Sequence, residues 1–142
     1  MKATSKKRCR SSQKRSPKNP RILVVDSDTV MAELMRSYLG DEKGYEVLIA
    51  ETGASGIRAA LEQLPDLILV DFRLADMSGL EMHDRLRQNP ATKEIPVIYV
   101  SSFLTLRTIE KATDKGARGF ISKPFTLSEI YTKVATILSS SI

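Results

Sequence analysis

The sequence predicts an α/β fold in which a parallel sheet of five strands carries helices on both faces. Three observations predict it: short apolar runs typical of buried strands, helical apolar spacing in the segments after them, and short connections between the two. Because crossovers between parallel strands are right-handed, five such units produce a doubly wound sheet. The predicted strands are 22–25, 45–50, 67–70, 97–100 and 118–122, and the predicted helices are 28–39, 53–64, 79–88, 104–115 and a last one opening at 126–129.

The first two units are predicted from apolar runs, helical spacing and helix breakers. Residues 22–25 are four consecutive apolar residues, as in a strand buried on both faces. Apolar side chains recur at helical spacing over 28–39, and Gly40 predicts the end of that helix. The less uniformly apolar run 45–50 predicts a strand nearer an edge, and Pro65 closes the helix after it. The apolar positions of the first helix are Val30, Met31, Leu34, Met35 and Leu39.

The last three units carry start and stop signals. Residues 67–70 form a second fully apolar run between two aspartates. A Ser or Thr with Glu three residues later has the spacing of a capping box, so helices are predicted to open at Ser78 and Thr126. The fourth helix is predicted to end at Gly116. The last helix places Leu127, Ile130, Val134, Ile137 and Leu138 toward the core.

Composition separates a basic amino-terminal segment from a slightly acidic body. Residues 1–20 hold eight of the 22 Lys and Arg and no acid, so from a total of +5 the remaining 122 residues carry −3. The segment has almost nothing apolar to bury and is predicted to be disordered. It is either a solubilising or cloning extension or a contact to nucleic acid or an anionic membrane, with a transit peptide or nuclear signal as weaker alternatives.

The body predicts one domain at 21–142 in a reducing compartment. Its length is sufficient to bury a core without disulfide bonds, and the single Cys9 cannot pair within the chain. No apolar run approaches the roughly 20 residues that span a bilayer. We therefore expect a cytoplasmic protein.

Four of the five predicted strands end in a residue able to make ionic or hydrogen bonds. These residues are Asp26, Asp71, Ser101 and Lys123. Because ligands bind beyond the carboxyl ends of parallel strands, we expect the four to share a crevice. Paired carboxylates hold Mg²⁺, while a hydroxyl and an ammonium hold phosphoryl oxygens. The sequence therefore predicts a phosphoryl site, where an aspartate nucleophile would form an acyl phosphate.

Four motifs occur in a characteristic order and spacing. They are ILVVD at 22–26, DLILVD at 66–71 followed by Met77, Ser78 and Gly79, VIYVS at 97–101, and GARGFISKPF at 116–125. Together they resemble the receiver domain of two-component response regulators, over residues 21–140. The resemblance implies a flavodoxin-like sheet with strand order 2-1-3-4-5. Only four residues follow Leu138, so a stand-alone receiver is expected.

The resemblance also implies a role for each residue of the phosphoryl site. Asp71 would be the phosphoacceptor, taking a phosphoryl group from a histidine kinase or phosphotransfer protein. Asp26 and the backbone carbonyl of Arg73 would join Asp71 in binding Mg²⁺. Lys123 would pair with the phosphoryl group, aimed by a cis peptide before Pro124. The implied chemistry is limited to self-catalysed phosphoryl acceptance and autodephosphorylation.

Further implied roles concern the output of the signal. Ser101 would hydrogen-bond the phosphoryl oxygen and reposition the loop after the fourth strand, and Phe120 stands at the switch aromatic. The signal would leave by protein contact, through the face built by the fourth helix, fifth strand and last helix. A phosphorylation-dependent dimer is one form that such a contact could take.

Three positions depart from the pattern of the resembled family. Ser27 stands where a second adjacent carboxylate is usual, and serine is a poorer Mg²⁺ ligand. Either Asp28 reaches into the pocket or metal affinity is lowered, and Asp28 could instead cap the first helix. Ala75 replaces a common proline, which predicts a looser loop after the phosphoacceptor. Phe120 lacks a tyrosine hydroxyl, so a switch there would act by packing.

Two other functions remain open at this point. The sequence Asp26, Ser27, Asp28 also matches the opening of haloacid-dehalogenase-type phosphatases, with Asp26 as nucleophile and Asp28 as acid and base. Ser101 and Lys123 could serve as later motifs, but no late acidic pair follows. The other alternative is a degenerate receiver that is never phosphorylated and acts as a docking module.

Three residues near these motifs have simpler interpretations. His83 is the only histidine, and its charged neighbours on the third helix predict a solvated face rather than a catalytic base. Phe103 and Arg73 flank the predicted site, and in the resembled family such positions tune how long the phosphoryl group survives. The charged neighbours of His83 are Asp84, Arg85 and Arg87.

Overall fold

The sheet in this computed structural model has five parallel strands in the order β2-β1-β3-β4-β5, which confirms the predicted fold class and strand order. The structure describes residues 19–140, so the prediction of disorder for 1–20 lies almost entirely outside the described residues. The strands are β1 Arg21–Val25, β2 Glu46–Ala50, β3 Leu67–Val70, β4 Val97–Ser101 and β5 Gly119–Ser122.

Helices follow the strands, and side chains cap their first turns. Ser78 and Thr126 accept hydrogen bonds from the N–H of the glutamate three residues on. At Thr126 the predicted capping box is complete, because its N–H donates to the Glu129 carboxylate at 2.7 Å, whereas after Ser78 the Glu81 carboxylate pairs with Arg85. The fourth helix begins later than predicted, because Thr105 caps it through the N–H of Thr108. The α-helices within residues 19–140 are α1 Thr29–Arg36, α2 Gly53–Gln63, α3 Gly79–Arg87, α4 Leu106–Asp114 and α5 Leu127–Ser140.

The first helix does not end at Gly40 as predicted. It passes into π-helical turns, Ser37–Glu42, that include Gly40, and the chain turns at Gly44, whose φ is +85°. Glycine within a helix costs only about 1 kcal/mol relative to alanine, so tertiary packing can override it as a stop signal. The wider turns keep Leu39 fully buried.

The apolar face of α1 is also narrower than predicted. Val30 is 78% exposed and Leu34 is 47% exposed, whereas Ala32 and Met35 are buried. The small side chain of Ala32 lets the helix approach the sheet, and the inward stripe passes through it rather than through Val30. Apolar spacing alone could not distinguish these two faces, because both repeat every three to four residues.

The core has two layers, one on each face of the sheet. One layer packs α1 and α5 against alternate residues of β1 and β3, including Ile22 and Leu69. The other packs α2, α3 and α4 against the opposite alternation, including Leu23 and Val70. Within residues 19–140 no helix has both the length and the apolar character needed to cross a bilayer. With both faces covered, the carboxyl ends of the strands are where polar side chains can meet.

Candidate functional site

Three of the predicted site residues meet at the carboxyl edge of the sheet. The Lys123 Nζ lies 3.0 Å from a carboxylate oxygen of Asp71 and 3.2 Å from one of Asp26. Asp26 follows β1, Asp71 follows the neighbouring β3, and Lys123 follows β5. One ammonium therefore joins two carboxylates that are 45 residues apart in the sequence.

Backbone hydrogen bonds fix the two carboxylates at this edge. The N–H of Asp26 donates to the Ala50 carbonyl at 3.1 Å, and the N–H of Asp71 donates to the Val25 carbonyl at 3.2 Å. These bonds extend the parallel ladder by one residue beyond each strand. Both aspartates are thus held by the sheet itself, so their side chains are positioned by a rigid element.

Burial and charge act against each other in this cluster. Asp26 is 3% exposed, and this burial raises the pKa of its carboxyl, although the Asp28 N–H and the Lys123 ammonium favour the ionised form. Burial also opposes the charge on Lys123, but hydrogen bonds and charges from Asp71 and Asp26 outweigh it, so the pKa of Lys123 is raised. The ammonium is therefore firmly protonated at neutral pH.

Asp28 and Arg73 flank the two carboxylates. The Asp28 carboxylate accepts from the Met31 N–H at 3.1 Å and caps α1, while its own N–H donates to Asp26 at 2.9 Å. The N–H of Arg73 donates to the Asp71 carboxylate at 3.3 Å, and the Arg73 guanidinium lies 4.1 Å from the centre of the Phe103 ring. The loops after β1, β3 and β4 are thereby drawn together around the acids.

Glycine is required at position 79, where α3 begins. The sequence motif includes Gly79, but the reason for it is visible only in the structure. A Cβ at Gly79 would lie 2.3 Å from the backbone oxygen of Asp71, closer than any real contact. The Gly79 N–H donates to the Phe72 carbonyl at 2.8 Å, which brings the two segments together. Gly79 thus lets the chain return close to Asp71.

The predicted switch residues, Ser101 and Phe120, lie on β4 and on the neighbouring edge strand β5. Ser101 is buried at the end of β4, and its hydroxyl accepts from the Phe103 N–H at 3.2 Å. The N–H of Lys123 donates to the Ser101 carbonyl at 3.0 Å, and the peptide bond between Lys123 and Pro124 is cis. Phe120 is half-buried on β5, with its ring 6.0 Å from that of Tyr99. Ser101 and Lys123 are therefore adjacent through the backbone.

His83 does not lie on a solvated face, contrary to the prediction. It is 4% exposed, and its Nδ1 shares a hydrogen bond of 2.9 Å with the Tyr99 hydroxyl. The hydrogen-bond partner that permits this burial, Tyr99, lies 16 residues away on β4. The charged neighbours of His83 along the helix therefore predicted its exposure wrongly. His83 is part of the core and not of the acidic cluster.

The residues present fit a hydrated magnesium ion. Asp26, Asp71 and the carbonyl of Arg73 are hard oxygen donors, and Mg²⁺ characteristically binds through one or two carboxylates while retaining several waters. Residues 19–140 contain no group of three or more His, Cys, Asp and Glu side chains that could enclose a metal. The donor set therefore suits an ion that keeps most of its waters.

Comparison with known proteins places the chain in a family. The family model described as the response regulator receiver domain matches residues 22–135. The chain belongs to this family. Receiver domains act as phosphoacceptors in two-component systems, generally bind Mg²⁺ at the phosphorylation site, and interact with histidine kinases or phosphotransfer proteins and with downstream effectors.

Individual relatives of this receiver domain differ in length. It is 32% identical to the DNA-binding dual master transcriptional regulator RpaA of Synechocystis over 84% of this chain and 49% of RpaA. It is 28% identical to the polar-differentiation response regulator DivK of Brucella ovis over 84% of this chain and 97% of DivK. The chain thus spans about half the length of several curated relatives and nearly all of another.

A solved structure gives the same fold. The signal receiver domain of a LuxO repressor protein from Vibrio parahaemolyticus superposes with a TM-score of 0.79 at 32% identity. The match covers 86% of this chain and 92% of that one. The family and the fold thus agree with the expectation from the four motifs.

Proposed function

We propose that Asp71 accepts a phosphoryl group from a histidine kinase or phosphotransfer protein, with Mg²⁺, and that the chain signals by protein contact. The observation that carries this proposal is the Lys123 ammonium, which bonds Asp71 at 3.0 Å and Asp26 at 3.2 Å. An ammonium beside two acids supplies a nucleophile, an anion partner and a metal pocket within one crevice. The proposal assigns the chain to the cytoplasm, where such relays operate.

The proposed transfer forms one bond and breaks one. A carboxylate oxygen of Asp71 attacks phosphorus, the bond between phosphorus and the donor imidazole nitrogen breaks, and the electron pair stays on that nitrogen. Bound Mg²⁺ supplies charge neutralisation of the phosphoryl oxygens. The product is an acyl phosphate on Asp71, which water hydrolyses in autodephosphorylation.

In this proposal two side chains at the carboxyl edge of the sheet, Lys123 and Ser101, hold the transferred group. Lys123 donates to both carboxylates, so it can exchange one of these bonds for a phosphoryl oxygen. The Ser101 hydroxyl accepts from the Phe103 N–H and retains its own proton to donate. Engagement of Ser101 would alter the backbone that it shares with Phe103, which is how the loop after β4 would respond to phosphorylation.

The exit surface in this proposal is the face of α4, β5 and α5. A groove of about 770 Å³ runs along β5 and α5, and Phe120, Pro124 and Lys133 are among its lining residues. Because Phe120 lines the groove and also stacks on Tyr99, a change in its packing would reach the surface. A downstream protein or a second copy of the chain would bind there, depending on the state of Asp71.

Burial favours Asp71 over Asp26 as the nucleophile. The side chain of Asp71 is 15% exposed and that of Asp26 only 4%, so an incoming phosphoryl donor reaches Asp71 more readily. In the phosphatase alternative Asp28 would be the acid and base, yet its carboxylate caps α1. The structure therefore offers less support for the phosphatase than for the receiver.

Intact-mass measurement after incubation with acetyl phosphate and Mg²⁺ tests the proposal. We expect the chain to gain one phosphoryl group, Asp71→Asn to gain none, and the matched surface variant Asp114→Asn to behave like the unmodified chain. Loss only in Asp26→Asn, with turnover of a generic phosphate ester, would instead support the phosphatase. If neither the unmodified chain nor any variant gained a phosphoryl group, even with a kinase present, the result would support the degenerate receiver that acts only as a docking module.

Amide exchange tests the proposed exit surface. Beryllofluoride mimics the phosphoryl group on an aspartate, so we expect it to change protection over residues 102–125. The change should disappear in Asp71→Asn and persist in Asp41→Asn, which alters an exposed aspartate outside this face. Unchanged protection across 102–125 in a chain that does accept phosphoryl groups would contradict this route for the signal.

A further inference from the structure

The segment between Asp71 and α3 is a tight turn. The N–H of Leu74 donates to the Met77 carbonyl at 3.1 Å, and Arg73 and Ser78 form an antiparallel bridge. The tip of this turn consists of residues 75 and 76. A hydrogen bond at residue 75 therefore restrains the backbone only two residues from Arg73. The position of the Arg73 carbonyl therefore depends on what holds the tip.

One side of the tip is held by the hydroxyl of Ser27. Its Oγ accepts from the Ala75 N–H at 3.1 Å and donates to the Glu51 carbonyl at 3.1 Å. A hydroxyl has one donor and two acceptor positions, so it makes both bonds at once. Through this one atom the loops after β1, β2 and β3 are joined.

The other side of the tip is held by the amino terminus of α2. The two carboxylate oxygens of Asp76 accept from the N–H of Gly53 at 2.7 Å and of Ala54 at 2.9 Å. These bonds lower the pKa of Asp76, so the cap is ionised at neutral pH. The turn is thus fastened at both tip residues, by hydrogen bonds that the expectation of a looser loop at Ala75 did not include.

Two departures from the family pattern meet in a single hydrogen bond. A proline at position 75 has no N–H to donate, and a carboxylate at position 27 has no proton to give the Glu51 carbonyl. Ser27 and Ala75 therefore suit each other: proline at position 75 would remove the bond to the Ser27 hydroxyl, and a carboxylate at position 27 would lose the bond to the Glu51 carbonyl. The pair restrains the turn by a hydrogen bond, where a proline would restrain it by its ring.

We propose that Ser27 and Ala75 form a positioning pair, which holds the turn so that the Arg73 carbonyl stays beside Asp71 as a Mg²⁺ ligand. This inference rests on the proposed function of the site. Ser27 brings no charge to the pocket, so its contribution is geometric. The Arg73 N–H bonds the Asp71 carboxylate at 3.3 Å, which is the local contact through which the restraint reaches the acids.

Calorimetric titration with Mg²⁺ and amide exchange of residues 73–78 together test the pair. Ser27→Ala removes both bonds of the hydroxyl, so we expect Mg²⁺ affinity to fall about threefold to tenfold and the Ala75 amide to exchange faster. Ser27→Thr keeps the hydroxyl and should stay within about twofold of the unmodified chain. Ser139→Ala, which removes the hydroxyl of an exposed serine near the end of α5, should change neither readout.

A double-variant cycle separates the pair from a general loosening. Ala75→Pro removes the donor, so Ser27→Ala should cost less affinity in that background than in the unmodified chain. An equal loss in both backgrounds would overturn the pairing. Full Mg²⁺ affinity in Ser27→Ala would overturn the positioning role while leaving the proposed function intact. An unmodified chain that neither binds Mg²⁺ nor accepts a phosphoryl group would overturn both.

Discussion

The imidazole of His83 and the hydroxyl of Tyr99 share a hydrogen bond of 2.9 Å inside the core. His83 is 4% exposed and Tyr99 is fully buried. The Tyr99 ring stacks on Phe72, with centroids 4.5 Å apart, and on Phe120 at 6.0 Å. A polar pair thus lies between the residue that follows Asp71 and the aromatic residue at the proposed exit surface.

This buried histidine should make stability depend on pH. Burial, followed by the nearby charges of Arg87 and Lys115, lowers the pKa of His83 to about 4 against the opposing effect of Asp84. Above pH about 6.5 the stabilisation is fully present, and it is lost as pH falls toward 4, because the unfolded chain then binds a proton that the folded chain resists. The loss should reach about 2 to 3 kcal/mol.

Urea unfolding of the chain and of His83→Gln between pH 7 and 4 measures this effect. Glutamine can hydrogen-bond Tyr99 but does not titrate, so the difference between the two curves isolates His83 from the acids that titrate in the same range. The free energy of unfolding should fall more steeply in the unmodified chain. Parallel curves would show that His83 is not buried as a neutral group.

Removing the Tyr99 hydroxyl should cost stability without creating a cavity. Tyr99→Phe leaves the His83 Nδ1 unpaired in the core, which costs about 1 to 3 kcal/mol. If the hydrogen bond is responsible, replacing both partners in Tyr99→Phe, His83→Leu should cost less than the sum of the single changes. Chemical unfolding at pH 7 gives all three values, and additive costs would argue against the bond.

The fold could be predicted because its determinants are local. The runs 22–25 and 67–70 are apolar on both faces, and capping residues such as Ser78 precede the helices, so each element is specified by its own residues. The polar strand ends Asp26 and Asp71 then follow from the geometry of parallel sheets. No tertiary information was needed for this part of the site.

What the sequence could not provide depends on contacts between distant residues. Asp76 caps α2 across 23 residues, and no local pattern marks it as a cap. In the sequence, Ser27 and Ala75 are two unrelated departures from the family pattern. The structure shows a hydrogen bond between these residues, which are 48 positions apart. His83 was misplaced for the same reason, since Tyr99 satisfies it from another element.

Replacing Lys123 should destabilise the chain as well as impair phosphoryl acceptance. Lys123→Met leaves Asp26 buried and Asp71 beside it, with no cation between the two carboxylates. The loss of one partner of a fully buried pair costs about 3 to 5 kcal/mol, but this site is partly open, so we expect about 1 to 3 kcal/mol at pH 7 without metal. Urea unfolding provides the measurement.

Two comparisons make the Lys123 result specific. Adding Asp26→Asn to Lys123→Met removes the unpaired charge and should recover part of the lost stability. Lys115→Met breaks an ion pair to exposed Asp84 and should cost less than about 1 kcal/mol. If Lys123→Met and Lys115→Met lost the same free energy of unfolding, burial of the Asp26, Asp71 and Lys123 cluster would not increase the cost of removing the ammonium.

The close approach of α3 to Asp71 predicts opposite outcomes for two glycine substitutions. Gly79→Ala places a Cβ 2.3 Å from the Asp71 backbone oxygen and 3.2 Å from the Phe72 Cα, and backbone atoms cannot move aside as a flexible side chain would. The free energy of unfolding should fall by about 2 to 3 kcal/mol, with phosphoryl acceptance lowered because the Asp71 backbone shifts.

Gly40→Ala is the matched control for Gly79→Ala. Its Cβ would meet only the Tyr45 carbonyl, at an ordinary 3.5 Å, and the methyl group of Val47 at 3.7 Å. Because alanine also reduces the freedom of the unfolded chain, this variant should be neutral or up to about 1 kcal/mol more stable. If Gly79→Ala proved as harmless as Gly40→Ala, the turn before α3 could not be as tight as the Cβ distance requires. The proposed position of the Arg73 carbonyl beside Asp71 would then lose its support.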